Sequence, residues 1–240
     1  MKQPEVDIRN FRLNKLNTPQ YRHLWWLLFW PVYILRYTIL ESLTPAAGYT
    51  VIHCALDDLI PFCEWFLIFY ASWYVIIAGM HLYTALYDIA VFKRYSQFLV
   101  ISMTISTLTI VLFPSCQELR PEVFPRDNFL TRLMAFIYTV DDNCGVFPSE
   151  HVIGAFGVFA AAVHCKSLRS PGKLTAIGIW ISLIIVSTMF VKQHSVLDAL
   201  GAIVPCAVAY YFAFLRKRQG AELDQKSSKL FNVLKKRSAM

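Results

Sequence analysis

KLTAIGIWISLIIVSTMFVKQHSVLDALGAIVPCAVAYYFAFL, residues 173–215, sets two apolar blocks on either side of a short polar break. Each block is about 18–20 residues long, enough for a helix to cross the hydrocarbon core of a bilayer. The break holds Lys192, Gln193, His194 and Ser195, with Asp198 just beyond. Polar groups at the edge of a span are costly to keep without a use. His194 and Asp198 stand four apart at a predicted helix start, so they share a face. A carboxylate there accepts the proton on one imidazole nitrogen and leaves the other nitrogen as a nucleophile. Taken alone, the spacing also describes a helix-start Asp that pairs with a nearby His for stability.

Working outward, four more apolar blocks appear, giving six expected spans at 24–42, 61–81, 97–113, 151–165, 173–190 and 197–215, the fourth of them short and expected to extend through part of 140–150. The 240 residues are 56% hydrophobic and 16% charged, against about 25% charged in soluble domains. The expected fold is all-α: one bundle of six transmembrane helices. Residues 1–23 form an N-terminal tail, 24–215 the membrane domain and 216–240 a basic C-terminal tail. A retained first span is expected, because the polar N-terminal stretch and the Pro45-Ala46-Ala47-Gly48 segment make a poor signal peptide.

The net charge of +7 is unevenly placed. Eighteen of the 23 Lys and Arg residues fall in the two tails and in the second and fourth connections. Only Arg120, Arg126, Arg132 and Lys192 fall on the other side. The positive-inside rule then puts both termini in the cytoplasm and both histidine motifs outside. A nucleic-acid partner is not expected, since the basic residues follow membrane topology and carry no nucleic-acid motif. The C-terminal tail mixes Lys and Arg with Leu223, Leu230, Phe231 and Leu234. It lies on an anionic leaflet as an amphipathic segment, or it is a solvated tail.

The outer loop 114–148 is the longest connection, with a helical stretch expected near Asn128–Thr139. A loop this long in a compact bundle is usually functional or disordered, and its aromatic content favours function. Cys116 and Cys144 share it. They pair in an oxidising compartment, or they pack as small apolar groups like other scattered cysteines. Gly154, Gly157 and Ala161 put small residues on one side of the fourth span, permitting close helix approach. Pro31 and Pro205 are expected to kink their spans. Arg36, Glu64, Asp88 and His164 are read as snorkelling or bundle-internal groups rather than catalytic ones.

The second histidine motif is Pro148-Ser149-Glu150-His151. Proline sets the entry to a helix, and Ser149 is a natural N-cap. The first-turn N–H groups and the helix dipole then offer an anion site. His151, in that first turn, is placed to give a proton to a leaving oxygen. Connectivity puts both motifs on one face with Arg120 and Lys192. Phosphoryl transfer needs this combination of charge neutralisation and in-line positioning.

These residues resemble the type-2 phosphatidic acid phosphatase superfamily of integral membrane lipid phosphatases and phosphotransferases. That family shows Lys with Arg-Pro seven residues later, then Pro-Ser-X-His, then Ser-Arg, five residues, His, three residues, Asp. Here Arg120-Pro121, Pro148-Ser149-Glu150-His151 and His194-Ser195-Val196-Leu197-Asp198 match, over the stretch from Arg120 to Gly201. The resemblance implies that His194 forms a phosphohistidine and that Asp198 orients it. It implies that His151 protonates the leaving alcohol, with Arg120, Ser149 and backbone N–H groups near Glu150 holding the phosphate. No metal or other cofactor is implied. Three departures stand out. Phe113 replaces the first-motif Lys, Thr188 replaces the Arg of Ser-Arg, and Glu150 sits where the family has a small or apolar residue. Lys192 is the expected substitute cation. Glu150 is expected to point away or to pair with Arg120, Arg126 or Lys192. The departures resemble a divergent branch that includes sphingolipid-type phosphotransferases.

The expected activity is hydrolysis of a membrane lipid phosphate or diphosphate at the outer face of the plasma membrane. Two rivals remain: transfer of the phosphoryl headgroup to an alcohol acceptor, and a catalytically silent lipid-binding or transport protein.

Overall fold

Capping residues and prolines set where the helices begin and break. The structure, a computed structural model, describes residues 3–42 and 48–216. Helix α1 (Phe29–Glu41) continues a 3-10 stretch over Arg22–Leu28. Pro31 falls in its first turn, where a missing N–H is tolerated. The short α2 (Ala55–Leu59) is followed by α3 (Leu67–Tyr87), which extends a 3-10 turn at Glu64–Phe66. Asp88 alone separates α3 from α4 (Ile89–Leu112), and its carboxylate accepts from the Val91 N–H at 3.1 Å. The connection expected over 82–96 is therefore a single capping residue.

Asn128 caps α5 (Phe129–Val140), its Oδ1 accepting from the N–H groups of Leu130 and Thr131 at 2.9 and 3.0 Å. Ser149 caps α6 (Glu150–His164), and Pro171 opens α7 (Pro171–Phe190). Helix α8 (Val196–Gly201) gives way to α9 (Ile203–Tyr210) at Ala202. Pro205 has no N–H for the Gly201 carbonyl, so the break falls one turn before it. The helical path then continues through a π turn at Tyr211–Leu215. Two-residue strands β1 (Thr50–Val51) and β2 (Ser115–Cys116) pair in parallel and join the segment before α2 to the segment after α4.

Among the described residues, four helical segments are long and apolar enough to cross a membrane: Glu64–Tyr87, Ile89–Leu112, Pro171–Phe190 and Val196–Leu215. The first and fourth of the six expected spans are not among them. The first divides into a 3-10 stretch and the 13-residue α1. The fourth is α6, with 15 residues, or about 22 Å of helix against a hydrocarbon core of roughly 30 Å.

Helix α6 is the centre of the bundle, packed by α3, α4, α7 and α9. Its small residues make that placement possible. A Cβ on Gly154 would lie 2.3 Å from the Ile77 side chain and 2.8 Å from Trp73, and one on Gly157 would lie 2.8 Å from Phe98. Between apolar helices in lipid, such contact is stabilised by dispersion rather than by water exclusion.

Arg36, Glu64 and His164 find internal partners. Arg36 pairs with Glu150, Glu64 with Arg126, and His164 Nε2 with the Tyr210 hydroxyl. The N-terminal region packs against the α3–α4 corner. The N–H groups of Glu5 and Val6 donate to the Leu86 carbonyl, and His23 Nε2 lies 3.1 Å from the Ala85 carbonyl oxygen. Beyond Arg216, the C-terminal tail and its expected amphipathic segment lie outside the described residues.

Candidate active site

The two histidine motifs meet because backbone holds them together. The Ser149 N–H donates to the Asp198 carbonyl at 3.0 Å. Phe147 packs on Gly201 so closely that a Cβ there would stand 2.3 Å from its ring. The peptide between Phe147 and Pro148 is cis. The N–H groups of Gln193 and His194 both donate to the Thr188 carbonyl at the end of α7. The loop before α8 is thus anchored on one side to α7 and on the other to the entry of α6.

This arrangement brings the His151 and His194 rings to 5.5 Å between centroids. His194 Nδ1 lies 3.2 Å from Asp198 Oδ2, which also accepts from the Ser195 N–H at 2.9 Å. Asp198 is fully buried, while both histidines retain 9% exposure toward a shared cavity. A proton on Nδ1 directed at Asp198 leaves the lone pair on Nε2. His151 Nε2 is buried and has no hydrogen-bond partner among the described residues. Its ring is held by stacking on Tyr70 at 4.4 Å and by Trp73 at 4.6 Å. The Trp73 Nε1–H also donates to the His151 carbonyl at 2.8 Å.

The cavity, about 410 Å³, lies between α1, α3, α4 and α6 and under the loops that precede α6 and α8. Its walls are aromatic, with Tyr33, Tyr37, Tyr49, Tyr70, Trp73 and Tyr74 among them. Ile34, Leu40, Ile110 and Val111 make one side apolar.

Glu150 lies in the cavity wall, and its charge is neutralised from α1 rather than from the expected cations. Arg36 donates from Nη1 to Oε1 and from Nη2 to Oε2, each at 2.8 Å. The Tyr33 and Ser106 hydroxyls complete the set at 2.7 and 2.8 Å. Arg120, Arg126 and Lys192 are all engaged elsewhere.

The structure turns two expected phosphate-binding cations away from the cavity. Arg120 donates to Gln193 Oε1 at 2.6 and 3.1 Å and to the carbonyls of Tyr138 and Asp141 at 3.1 and 2.7 Å. Its donors are committed to joining the end of α5 to the residue beside His194. Lys192 takes the left-handed conformation at φ 55° that ends α7. That turn aims its side chain at α2, where Nζ donates to the Asp57 carbonyl at 2.8 Å. Burial lowers the Lys192 pKa, against the opposing pull of Asp57 and Asp58. Ser149 is completely buried as a cap, with its Oγ 3.5 Å from the Val152 nitrogen, so its hydroxyl serves α6 rather than the cavity. Among the expected site residues, the cavity therefore receives His151, His194 and Glu150, with Asp198 directly behind His194.

Several site residues were not anticipated from sequence. Asp141 faces the cavity and accepts from the Tyr37 hydroxyl at 2.7 Å, the Tyr70 hydroxyl at 2.9 Å and the Gln193 amide at 3.0 Å. Asp57, in α2, caps α8. Its Oδ2 accepts from the Ser195 hydroxyl at 2.6 Å and its Oδ1 from the Val196 N–H at 2.8 Å. A signal for the aromatic walls does exist in the chain. Tyr33, Arg36 and Tyr37 follow i, i+3, i+4 spacing, and so do Tyr70, Trp73 and Tyr74. Each set marks a polar-aromatic face on a helix that is otherwise apolar.

No protein-family model matches this chain, and no curated protein or solved structure matches it.

Proposed function

We propose that the protein hydrolyses a membrane lipid phosphate or diphosphate through a phosphohistidine on His194. The observation that carries this reading is the His194–Asp198 pair facing His151 across one cavity, with ring centroids 5.5 Å apart. His194 Nε2 attacks phosphorus while Asp198 stabilises the charge growing on the imidazole. His151 protonates the leaving alcohol, then takes a proton from the water that cleaves the phosphohistidine. The first-turn N–H groups of α6 receive phosphate oxygens. The aromatic and apolar wall formed by α1 and α4 takes the proximal part of the lipid chain. No metal enters this scheme.

The basic residues of the chain favour a topology with both termini in the cytoplasm and the cavity at the outer face of the plasma membrane. In that topology α1 with its 3-10 extension and the buried α6 complete a six-segment bundle around the four longer helices.

A second reading is transfer of the phosphoryl group to an alcohol. Asp141 and the hydroxyls of Tyr37 and Tyr70 favour it, because they place polar groups beside His151 where an acceptor would stand. Both readings share the phosphohistidine step. Purified protein, tested with phosphatidic acid in EDTA, is expected to release inorganic phosphate, and His194→Ala is expected to fall to background. Undiminished release by His194→Ala would overturn the reading. Loss of free phosphate to a new phosphoester when alcohols are added would select the transferase.

A further inference from the structure

Cys116 and Cys144 are set opposite each other by the backbone. They form an antiparallel bridge, flanked by two hydrogen bonds: Gln117 N–H to the Asn143 carbonyl at 2.9 Å, and Gly145 N–H to the Ser115 carbonyl at 2.7 Å. Bonds at the flanking positions, not between the opposed residues, mark the non-hydrogen-bonded pair of an antiparallel ladder. In that pair the Cα atoms stand about 4.5 Å apart, with both side chains on one face. This lies within the Cα separation of about 4.4–6.8 Å that a disulfide spans. Gly145 follows in the left-handed conformation at φ 64°, which lets the chain turn away directly after the bridge.

We infer that Cys116 and Cys144 form a disulfide that closes the rim of the cavity. Both are free thiols in this structure. The bond would tie β2 to the segment that runs through Gly145 and Val146, which line the cavity, into Pro148 and Ser149. It forms by thiol–disulfide exchange. A thiolate of one cysteine attacks a sulfur of an external disulfide and releases one thiol, and the second cysteine then displaces the other. Two electrons and two protons leave the cysteines and reduce the external disulfide to two thiols. Burial raises the Cys116 thiol. Burial, then Asp142 and Cys116, raise Cys144, so exchange quickens as pH rises. The inference does not depend on the phosphatase reading.

The test uses the full-length protein in detergent, incubated with oxidised glutathione at mildly alkaline pH. Remaining thiols are then alkylated and the peptides read by mass spectrometry. The expected product is a Cys116–Cys144 linked peptide, with Cys165 and Cys206 alkylated after denaturation. A reductant should lower the melting temperature of the oxidised protein by roughly 5–10 °C. It should leave the Cys116→Ser/Cys144→Ser double variant unmoved. Glutathione adducts or free thiols at both positions, linkage to Cys54 or Cys63 instead, or a melting temperature indifferent to reductant would each overturn the inference.

Discussion

The Ser149 N–H donates to the Asp198 carbonyl at 3.0 Å, so the two histidine motifs share a backbone hydrogen bond. The distance between His151 and His194 is therefore set by main chain. Substitution of either side chain leaves that frame in place, which makes functional tests of the site clean.

Within that frame, His194→Ala should abolish phosphate release, and His151→Ala should slow turnover by about 10²–10⁴-fold, the range for loss of a general acid. The His151→Ala effect should be smallest for substrates with good leaving groups. Asp198→Asn can keep one oxygen for the Ser195 N–H and His194 Nδ1, which share Oδ2, but it removes the charge that stabilises the His194 imidazole during attack, so kcat should fall while the fold persists. Steady-state rates together with circular dichroism would check all three. Wild-type turnover in Asp198→Asn would remove that carboxylate from the scheme.

Gly201 allows Phe147 to lie on α8. Gly201→Ala places a methyl 2.3 Å from the ring, so the Phe147-Pro148-Ser149 entry must shift. Activity should drop with little change in helix content, and Phe147→Ala in the same chain should recover part of it. Losses that simply add in the double variant would show that the two positions are not coupled.

The Arg36–Glu150 pair is mostly buried, with side-chain exposures of 17% and 13%. Removing one partner of such a pair leaves a charge without compensation, at a cost of about 3–5 kcal/mol. Arg36→Met should therefore lower the melting temperature strongly, Glu150→Gln less, and the double variant should recover most of the Arg36→Met loss. Equal melting temperatures for Arg36→Met and the double variant would mean that Glu150 finds another cation.

Lys192 is held by the Asp57 carbonyl, away from the cavity. Lys192→Met should lower stability by about 1–3 kcal/mol, the loss of a charged hydrogen bond, and leave the KM for a lipid phosphate within about twofold. A tenfold rise in KM at unchanged stability would place the ammonium on the phosphate.

Asp57 links stability to pH. Burial raises its carboxyl, but hydrogen bonds from the Ser195 hydroxyl and the N–H groups of Val196 and Cys54 outweigh that, leaving it below its ordinary value. A carboxyl depressed on folding contributes stability that is fully present above its unfolded value of about 3.9. That contribution is lost as pH falls through the lower folded value. The stability advantage of wild type over Asp57→Asn, measured by thermal unfolding from pH 6 down to pH 3, should shrink below about pH 4. A constant difference across that range would show that Asp57 does not titrate with folding.

Much of this protein was legible in the chain because the signals are local. Apolar block length announced the helices, Pro148 and Ser149 announced a helix start, and His194 with Asp198 announced a pair on one face. Block length counts apolar residues without saying what covers them. That α6 is the helix its neighbours bury was therefore not legible. The partner of Glu150 was not legible either. Arg36 lies on α1, and its approach depends on how α1 rests against α4 and α6. Arg120 and Lys192 have the right charge at the right sequence distance from the histidines. Their directions are set by Gln193 and by the left-handed turn at Lys192, which bring Arg120 onto backbone carbonyls and Lys192 onto Asp57. The sequence by itself determined a helical chain with apolar blocks of membrane-crossing length and two histidine motifs at helix starts. Only the tertiary structure decided that the motifs share a backbone hydrogen bond, that Arg36 neutralises Glu150, and that the aromatic faces of α1 and α3 meet at one cavity. Each of these joins residues remote in sequence, so it depends on packing geometry that no local pattern encodes.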